Sequence, residues 1–80
     1  MTVKEAVVTR FLIIMKEKNI RPNELAVRSG VTPSSVYSML DSKRKEVSIS
    51  LIKKLCDGSD ITLGQFFSHS IFDTLEQEIQ

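Results

Sequence analysis

Apolar residues recur at intervals of three and four along most of the chain, and strict alternation of apolar and polar positions never persists over a useful length. This spacing is typical of helices that bury one face. Caps and breakers divide the pattern, so we predict an all-α fold, a compact five-helix domain with a short C-terminal helix after it. The predicted helices cover residues 3–18, 22–29 and 33–41, then a stretch from a Ser48 cap to the residue before Gly58, and a short segment from a Thr62–Gln65 capping box through 67.

The chain of 80 residues has room for one small core. We expect a domain over 1–69 and a tail over 70–80, in which Ile71, Phe72, Leu75 and Ile79 line one side of a final helix. Residues 11–15 are apolar on every side of the first helix, so either the tail or a partner chain covers them. The tail therefore packs on its own domain, frays, or forms a dimer contact.

The most informative stretch is residues 22–41, where two short helical patterns share a turn. Pro22 suits the first position of a helix, and Gly30 ends that helix because glycine adopts a left-handed conformation without penalty. Thr32 then caps a second helix whose first position is Pro33. The pattern predicts a helix-turn-helix, the motif whose second helix enters the major groove of DNA.

The outer face of the second motif helix carries small polar residues and one aromatic residue. Side chains that read sequence must reach base edges in the groove. We therefore predict base reading by Pro33, Ser34, Ser35, Tyr37 and Ser38. Simple solvent exposure of the serines is the alternative, since serine also suits a first helical turn. With no Arg, Asn or Gln on this helix, direct discrimination should be modest, and DNA shape carries part of the preference.

Charge is divided unevenly along the chain, although the net charge is only +1. Residues 1–45 carry nine Lys or Arg against four acids, and residues 46–80 carry two against six. Lys43, Arg44 and Lys45 directly follow the predicted recognition helix, where a loop can meet the phosphate backbone. The alternative is a solvated loop with no partner.

Several short motifs inside and outside the predicted helix-turn-helix are also informative. They are Glu24-Leu-Ala26, Ser29-Gly-Val-Thr32, Val36 within the second motif helix, and Ile61-Thr-Leu-Gly-Gln-Phe-Phe67. On these residues the chain, over about 3–67, resembles the lambda-repressor-like (xenobiotic-response-element) helix-turn-helix family of phage and bacterial transcription regulators. Lys54-Leu-Cys-Asp-Gly58 and the Leu-Glu-Gln-Glu-Ile ending resemble small single-domain members from Gram-positive bacteria and their mobile elements. The resemblance implies a sequence-specific DNA-binding regulator, and its repressor sense comes from the family alone.

The chain departs from the family pattern at two places. Family members often begin the second helix with Thr-Gln, whose amide touches a phosphate, whereas this chain has Arg21-Pro22. An Arg–Glu pair common in relatives is replaced by Met15 and Leu40, an exchange that leaves no orphan charge. Other residues must then contact the phosphates. We assign this role to the loop cations 43–45 and to Arg21, Asn23, Arg28 and Thr32. Arg28 is equally an ordinary exposed residue.

A single domain of this size offers a short recognition surface, so binding usually needs two copies on an inverted repeat. We expect a homodimer on double-stranded DNA, with Phe67, Ile71, Phe72 and Leu75 at the dimer or partner surface. The alternative function is a protein-interaction module, such as an antitoxin or assembly factor, built on the same bundle. Replacing residues 43–45 with alanine separates the two, because only DNA binding should be lost.

Other classes of function find little support in the residues. His69 is the only histidine and lies apart from any nucleophile pattern, and no glycine-rich phosphate loop is present, so no enzyme activity, metal or cofactor is expected. Cys56 is expected to be a buried thiol, with a redox or intermolecular role as the alternative. The apolar run 11–15 is too short for a membrane span or signal segment, so we expect a cytoplasmic protein with no membrane or small-molecule partner.

Overall fold

The computed structural model describes residues 1–79, which form five α-helices and one 3₁₀ helix and contain no strand. The α-helices are α1 (Val3–Lys18), α2 (Pro22–Ser29), α3 (Pro33–Leu40), α4 (Ile49–Gly58) and α5 (Leu63–Phe67), and the 3₁₀ helix η1 is Ser70–Thr74. The all-α prediction is confirmed. The third helix ends one residue earlier than predicted, because Asp41 is an extended C-cap.

Local capping explains most of the helix boundaries. Thr2, Thr32, Ser48 and Thr62 each accept a backbone N–H from their own first helical turn. Thr2 and Glu5 form a full capping box, as Thr62 and Gln65 do. The Thr2–Glu5 signature was readable in the sequence but is absent from the predictions above. Gly30 has φ +68° and ends α2 as predicted.

The core lies between α1 and the helices that follow it. Its fully or nearly buried apolar members are Ala6, Val7, Phe11, Ile14, Met15, Ile20, Leu25, Ala26, Val36, Met39, Ile52, Leu55, Cys56 and Phe66. Helix α2 packs against both α3 and α4. Met15 is buried and Leu40 packs against the core at partial burial, which fits their replacement of an ion pair with apolar contact.

Gly58 lies at the end of the fourth helix, as expected from the sequence. It is the last residue of α4, and the left-handed residue beyond it is Asp60 (φ +61°). A Cβ on Gly58 would lie 2.9 Å from the backbone nitrogen of Ser29. Glycine is therefore needed here for the close approach of α4 to α2, and its role as a helix breaker is taken by the residues after it.

The tail differs from the predicted helix. Only η1 is helical, Leu75 is extended and residues 76–79 have no regular secondary structure, so Leu75 and Ile79 do not share a helical face with Phe72. The reason is a set of contacts with the start of α1: Glu76 N donates to Met1 O (3.1 Å), and Val3 N donates to Glu78 Oε2 (3.2 Å). These two hydrogen bonds hold the tail against the N-terminal end of the chain, where a final helix would instead have bonds within itself. Gln80 lies outside the described residues.

Candidate nucleic-acid interface

Helix α3 is fixed by the residues on its inner side. Val36 and Met39 are buried, with relative exposures of 0% and 3%. Helical spacing then turns Ser34, Tyr37 and Ser38 outward, and Tyr37 is 52% exposed. Pro33 is also exposed, whereas Ser35 is only half-exposed at the edge of this face. The structure thus brings the five predicted base-reading residues onto one short helix, with Ser35 the least accessible.

The hydroxyl groups at the start of α3 are hydrogen-bonded to one another. Thr32 Oγ1 accepts from Ser35 N at 3.3 Å and lies 3.0 Å from both Ser34 Oγ and Ser35 Oγ. Ser34 and Ser35 therefore have local partners in the absence of DNA. A base contact from either hydroxyl requires that bond to be exchanged or shared.

A shallow groove of about 330 Å³ runs beside α3. One wall carries Ser34, Ser35 and Ser38, and the other is formed by the loop after α3 and the start of α4, including Arg44 and Ser48. The groove places a guanidinium-bearing residue next to the row of serines. Polar base-reading candidates and a cation are therefore adjacent on one surface.

The loop after α3 has an ordered beginning. Lys43 N donates to Asp41 Oδ1 at 2.9 Å, and Arg44 N donates to Asp41 O at 3.1 Å. The side chains of Lys43, Arg44 and Lys45, called the basic loop below, are all exposed. Their backbone is thus held in a turn that directly continues the recognition helix.

The N-terminus of α2 differs from those of the other α-helices. Within residues 1–79, its N-cap Arg21 makes no side-chain hydrogen bond to the first turn. The first amides of α2 therefore have no capping side chain, and such amides favour an anion. Arg21 and Asn23 are exposed at this end. The structure thus places both of these predicted phosphate contacts beside uncapped amides.

Two other cations of the N-terminal part are already engaged. Arg28 pairs with Glu24 one turn earlier at 2.8 Å on the exposed side of α2. Arg10 donates to the carbonyls of Phe66 (2.9 Å) and Gln65 (3.2 Å), and its guanidinium lies over the Phe66 ring. Arg28 can meet a phosphate only in competition with its own carboxylate partner.

The residues predicted for a dimer surface are partly covered by their own chain. Phe72 lies 5.7 Å from Phe66 and 4.9 Å from Phe67, ring centre to ring centre, and packs against the core. Phe67 is 36% exposed, while Ile71 and Leu75 are half-buried. Part of the tail therefore packs on its own domain. A dimer contact through the exposed remainder stays a prediction.

Within residues 1–79, two titratable groups, Cys56 and Glu5, have clearly shifted pKa values. Burial, with Asp57 nearby, raises the pKa of the Cys56 thiol to about 11. The backbone N–H of Thr2, together with its side chain, lowers the pKa of the Glu5 carboxyl. His69 Nδ1 accepts the Ile71 amide and so caps η1. Over residues 1–79, no group of three His, Cys, Asp or Glu side chains could hold a metal ion.

The structure contains a helix-turn-helix whose second helix has an exposed polar face and is followed by the basic loop. These features are typical of helical DNA-binding domains. A family model agrees: residues 10–70 match the Cro/C1-type HTH DNA-binding domain. The chain belongs to this family, which confirms the resemblance drawn from the sequence, and it is therefore a DNA-binding protein of the transcription-regulator class. Such domains are typically not enzymes.

A solved structure shows the same fold. The chain is similar to that in the crystal structure of the prophage Lp1 protein 11, with a TM-score of 0.81 and 24% identity over 94% of this chain and 99% of that one. No curated relative matches the chain. In the part of the chain that the structure describes, no helix has the length and apolar character needed to cross a membrane.

Proposed function

We propose that the protein is a sequence-specific repressor that binds double-stranded DNA as a dimer, with α3 in the major groove. The observation that carries this proposal is the single surface formed by Ser34 and Ser38 of α3 with Arg44 of the basic loop across a groove of about 330 Å³. A helix of this kind reads base edges while the adjoining cations neutralise phosphates. The repressor sense rests on the family alone.

Base reading is assigned to the outer side of α3. Ser34 and Ser38 face the groove, Tyr37 is the longest side chain on this surface, and Pro33 offers apolar contact, for example to a thymine methyl group. Ser35 contributes from the edge. Because hydroxyls both donate and accept, they discriminate bases weakly. We therefore expect a preference that depends partly on DNA shape.

Phosphate binding is assigned to two places, one after α3 and one at the start of α2. The basic loop lies at the C-terminal end of α3, and Arg21 and Asn23 lie at the uncapped start of α2. Thr32 and Arg28 are secondary contacts, because the first caps α3 and the second is paired with Glu24. Each neutralised phosphate releases counterions, so these groups supply affinity and salt dependence.

The dimer is proposed because one α3 offers only a short reading surface. Two copies on an inverted repeat would place their recognition helices about 34–36 Å apart, one turn of DNA. The exposed parts of Phe67, Ile71, Phe72 and Leu75 are the proposed contact. Sedimentation at tens of micromolar protein, free and on DNA, tests it, and monomer alone under both conditions would refute the dimer.

The first experiment is selection of bound sequences from a randomised duplex pool at moderate salt. An enriched inverted repeat is the expected result, since it requires both sequence reading and two-fold symmetry. No enrichment from a folded preparation would contradict the proposal. It would instead favour the interaction-module alternative, in which the same bundle binds a protein.

The second experiment removes the cations of the basic loop. The variant Lys43→Ala/Arg44→Ala/Lys45→Ala should bind the selected duplex weakly, and its salt slope should fall by about 2 to 3 per chain. A matched control, Lys18→Ala/Lys53→Ala/Lys54→Ala, removes three exposed lysines from other helices. Equal losses in both variants would show that only overall charge matters and would contradict a role for the loop.

A further inference from the structure

Lys4 is a buried charged residue with no role in the sites described so far. It lies in the first turn of α1 and is only 6% exposed. Its Nζ donates to the carbonyl oxygens of Asp41 and Arg44, each at 3.0 Å. A buried ammonium is costly unless such bonds compensate it, so its position is closely determined by these two acceptors.

The two carbonyls belong to the turn that begins the basic loop. Asp41 is the C-cap of α3, and its carbonyl also accepts Arg44 N at 3.1 Å. The Lys4 ammonium therefore bridges both ends of a closed turn and ties it to α1. Its positive charge also lies by the C-terminal end of α3, where the helix dipole favours a cation.

We propose that Lys4 is a positioning residue for DNA binding: it holds the backbone of the basic loop at a fixed place relative to α3, while its own ammonium faces inward. This inference rests on the phosphate-binding role of the loop proposed above. A loop ordered before binding loses less conformational freedom on the DNA, so its cations contact phosphates more effectively. Lys4 thus acts on DNA through Lys43, Arg44 and Lys45.

The test replaces Lys4 with methionine, which keeps the length of the stem and removes the donor. Lys53→Met is the control, because it removes one lysine charge from the exposed side of α4, where Lys53 pairs with Asp57. We expect Lys4→Met to bind the selected duplex several-fold more weakly, with a salt slope smaller by about 1. Amide hydrogen exchange of residues 42–46 should quicken, and the control should retain wild-type binding and exchange.

A double-mutant cycle with the neutral loop variant separates positioning from a general loss of stability. If Lys4 acts through the loop, Lys4→Met should have no further effect on affinity once residues 43–45 are alanine. Equal losses in both backgrounds, or wild-type binding by Lys4→Met, would overturn the role of Lys4. Wild-type binding by the loop variant alone would instead overturn the proposed function of the loop. Lys4→Gln takes the place of Lys4→Met in the same cycle if the methionine variant does not fold.

Discussion

Gly58 controls how closely α4 approaches α2, the first helix of the DNA-binding motif. A Cβ at this position would overlap the hydroxyl oxygen of Ser29 and lie 2.9 Å from its backbone nitrogen and 3.0 Å from its Cα. The hydroxyl can rotate away, but the backbone atoms cannot, so one helix must shift. We therefore expect Gly58→Ala to destabilise the domain.

The expected size combines two opposing effects. Overpacking of a well-filled contact costs typically about 1–3 kcal/mol, and a contact with backbone atoms favours the upper end. Alanine is better than glycine within a helix by about 1 kcal/mol. The net loss is then about 2 kcal/mol, a large part of the roughly 4–12 kcal/mol typical for a chain of 80 residues. The melting temperature should fall by roughly 10 °C.

The chain offers a matched control at Gly64 in α5, where the nearest atom to an added Cβ is Thr62 Oγ1 at 3.8 Å. Gly64→Ala gains helix propensity without a clash and should stabilise by about 0.5–1 kcal/mol. Urea unfolding followed by circular dichroism measures both variants. A Gly58→Ala midpoint at or above that of the wild type would refute the close-packing explanation. Adding Ser29→Ala should recover little of the loss, since the backbone nitrogen and Cα of residue 29 stay in place.

Three further predictions concern other parts of the structure. Gly30→Ala should cost about 1 kcal/mol because φ is +68° although the space is open, and Gly30→Asn should cost less in the same unfolding assay. Cys56 should resist alkylation at neutral pH until the protein unfolds. Because burial raises the pKa of its thiol from an ordinary value of 9.0 to about 11, stability should fall as pH rises from about 9 to about 11. Labelling kinetics and unfolding midpoints against pH check this. Arg10→Met should loosen α5 by about 1–2 kcal/mol through loss of the carbonyl bonds, seen as faster amide exchange at Phe66.

The helices were predictable because their ends are determined by local chemistry. Thr32, Ser48 and Thr62 each satisfy an amide within three residues, and Gly30 adopts the conformation that glycine favours. The inward face of α3 followed from spacing alone. These signals lie within one turn of the residue concerned, so a single sequence contains all of the information needed to interpret them.

The contacts that could not be predicted join distant segments through backbone atoms. Lys4 binds carbonyls that are 37 and 40 residues away, and every residue of the chain has a backbone carbonyl that could supply the same acceptor. Gly58 faces Ser29 at a helix crossing whose position depends on the whole core. The path of the tail likewise depends on hydrogen bonds with Met1 and Val3 at the N-terminal end of the chain. The residue types in the sequence therefore do not indicate which backbone atoms will be in contact.

Contacts inside the protein reduce the number of N-terminal cations that are available to bind phosphates. Of the nine cations in residues 1–45, Lys4 and Arg10 bind internal carbonyls, and Arg28 reaches a phosphate only in competition with its partner Glu24. In residues 1–79, the cations assigned to phosphates that have no ion-pair partner are Arg21 and the three of the basic loop. Four contacts per chain predict a salt slope of about −4, or about −7 for a dimer. A slope clearly steeper than about −4 per chain would mean that further cations contact phosphates, and a loosened loop in hydrogen exchange of the bound protein would indicate that Lys4 is one of them.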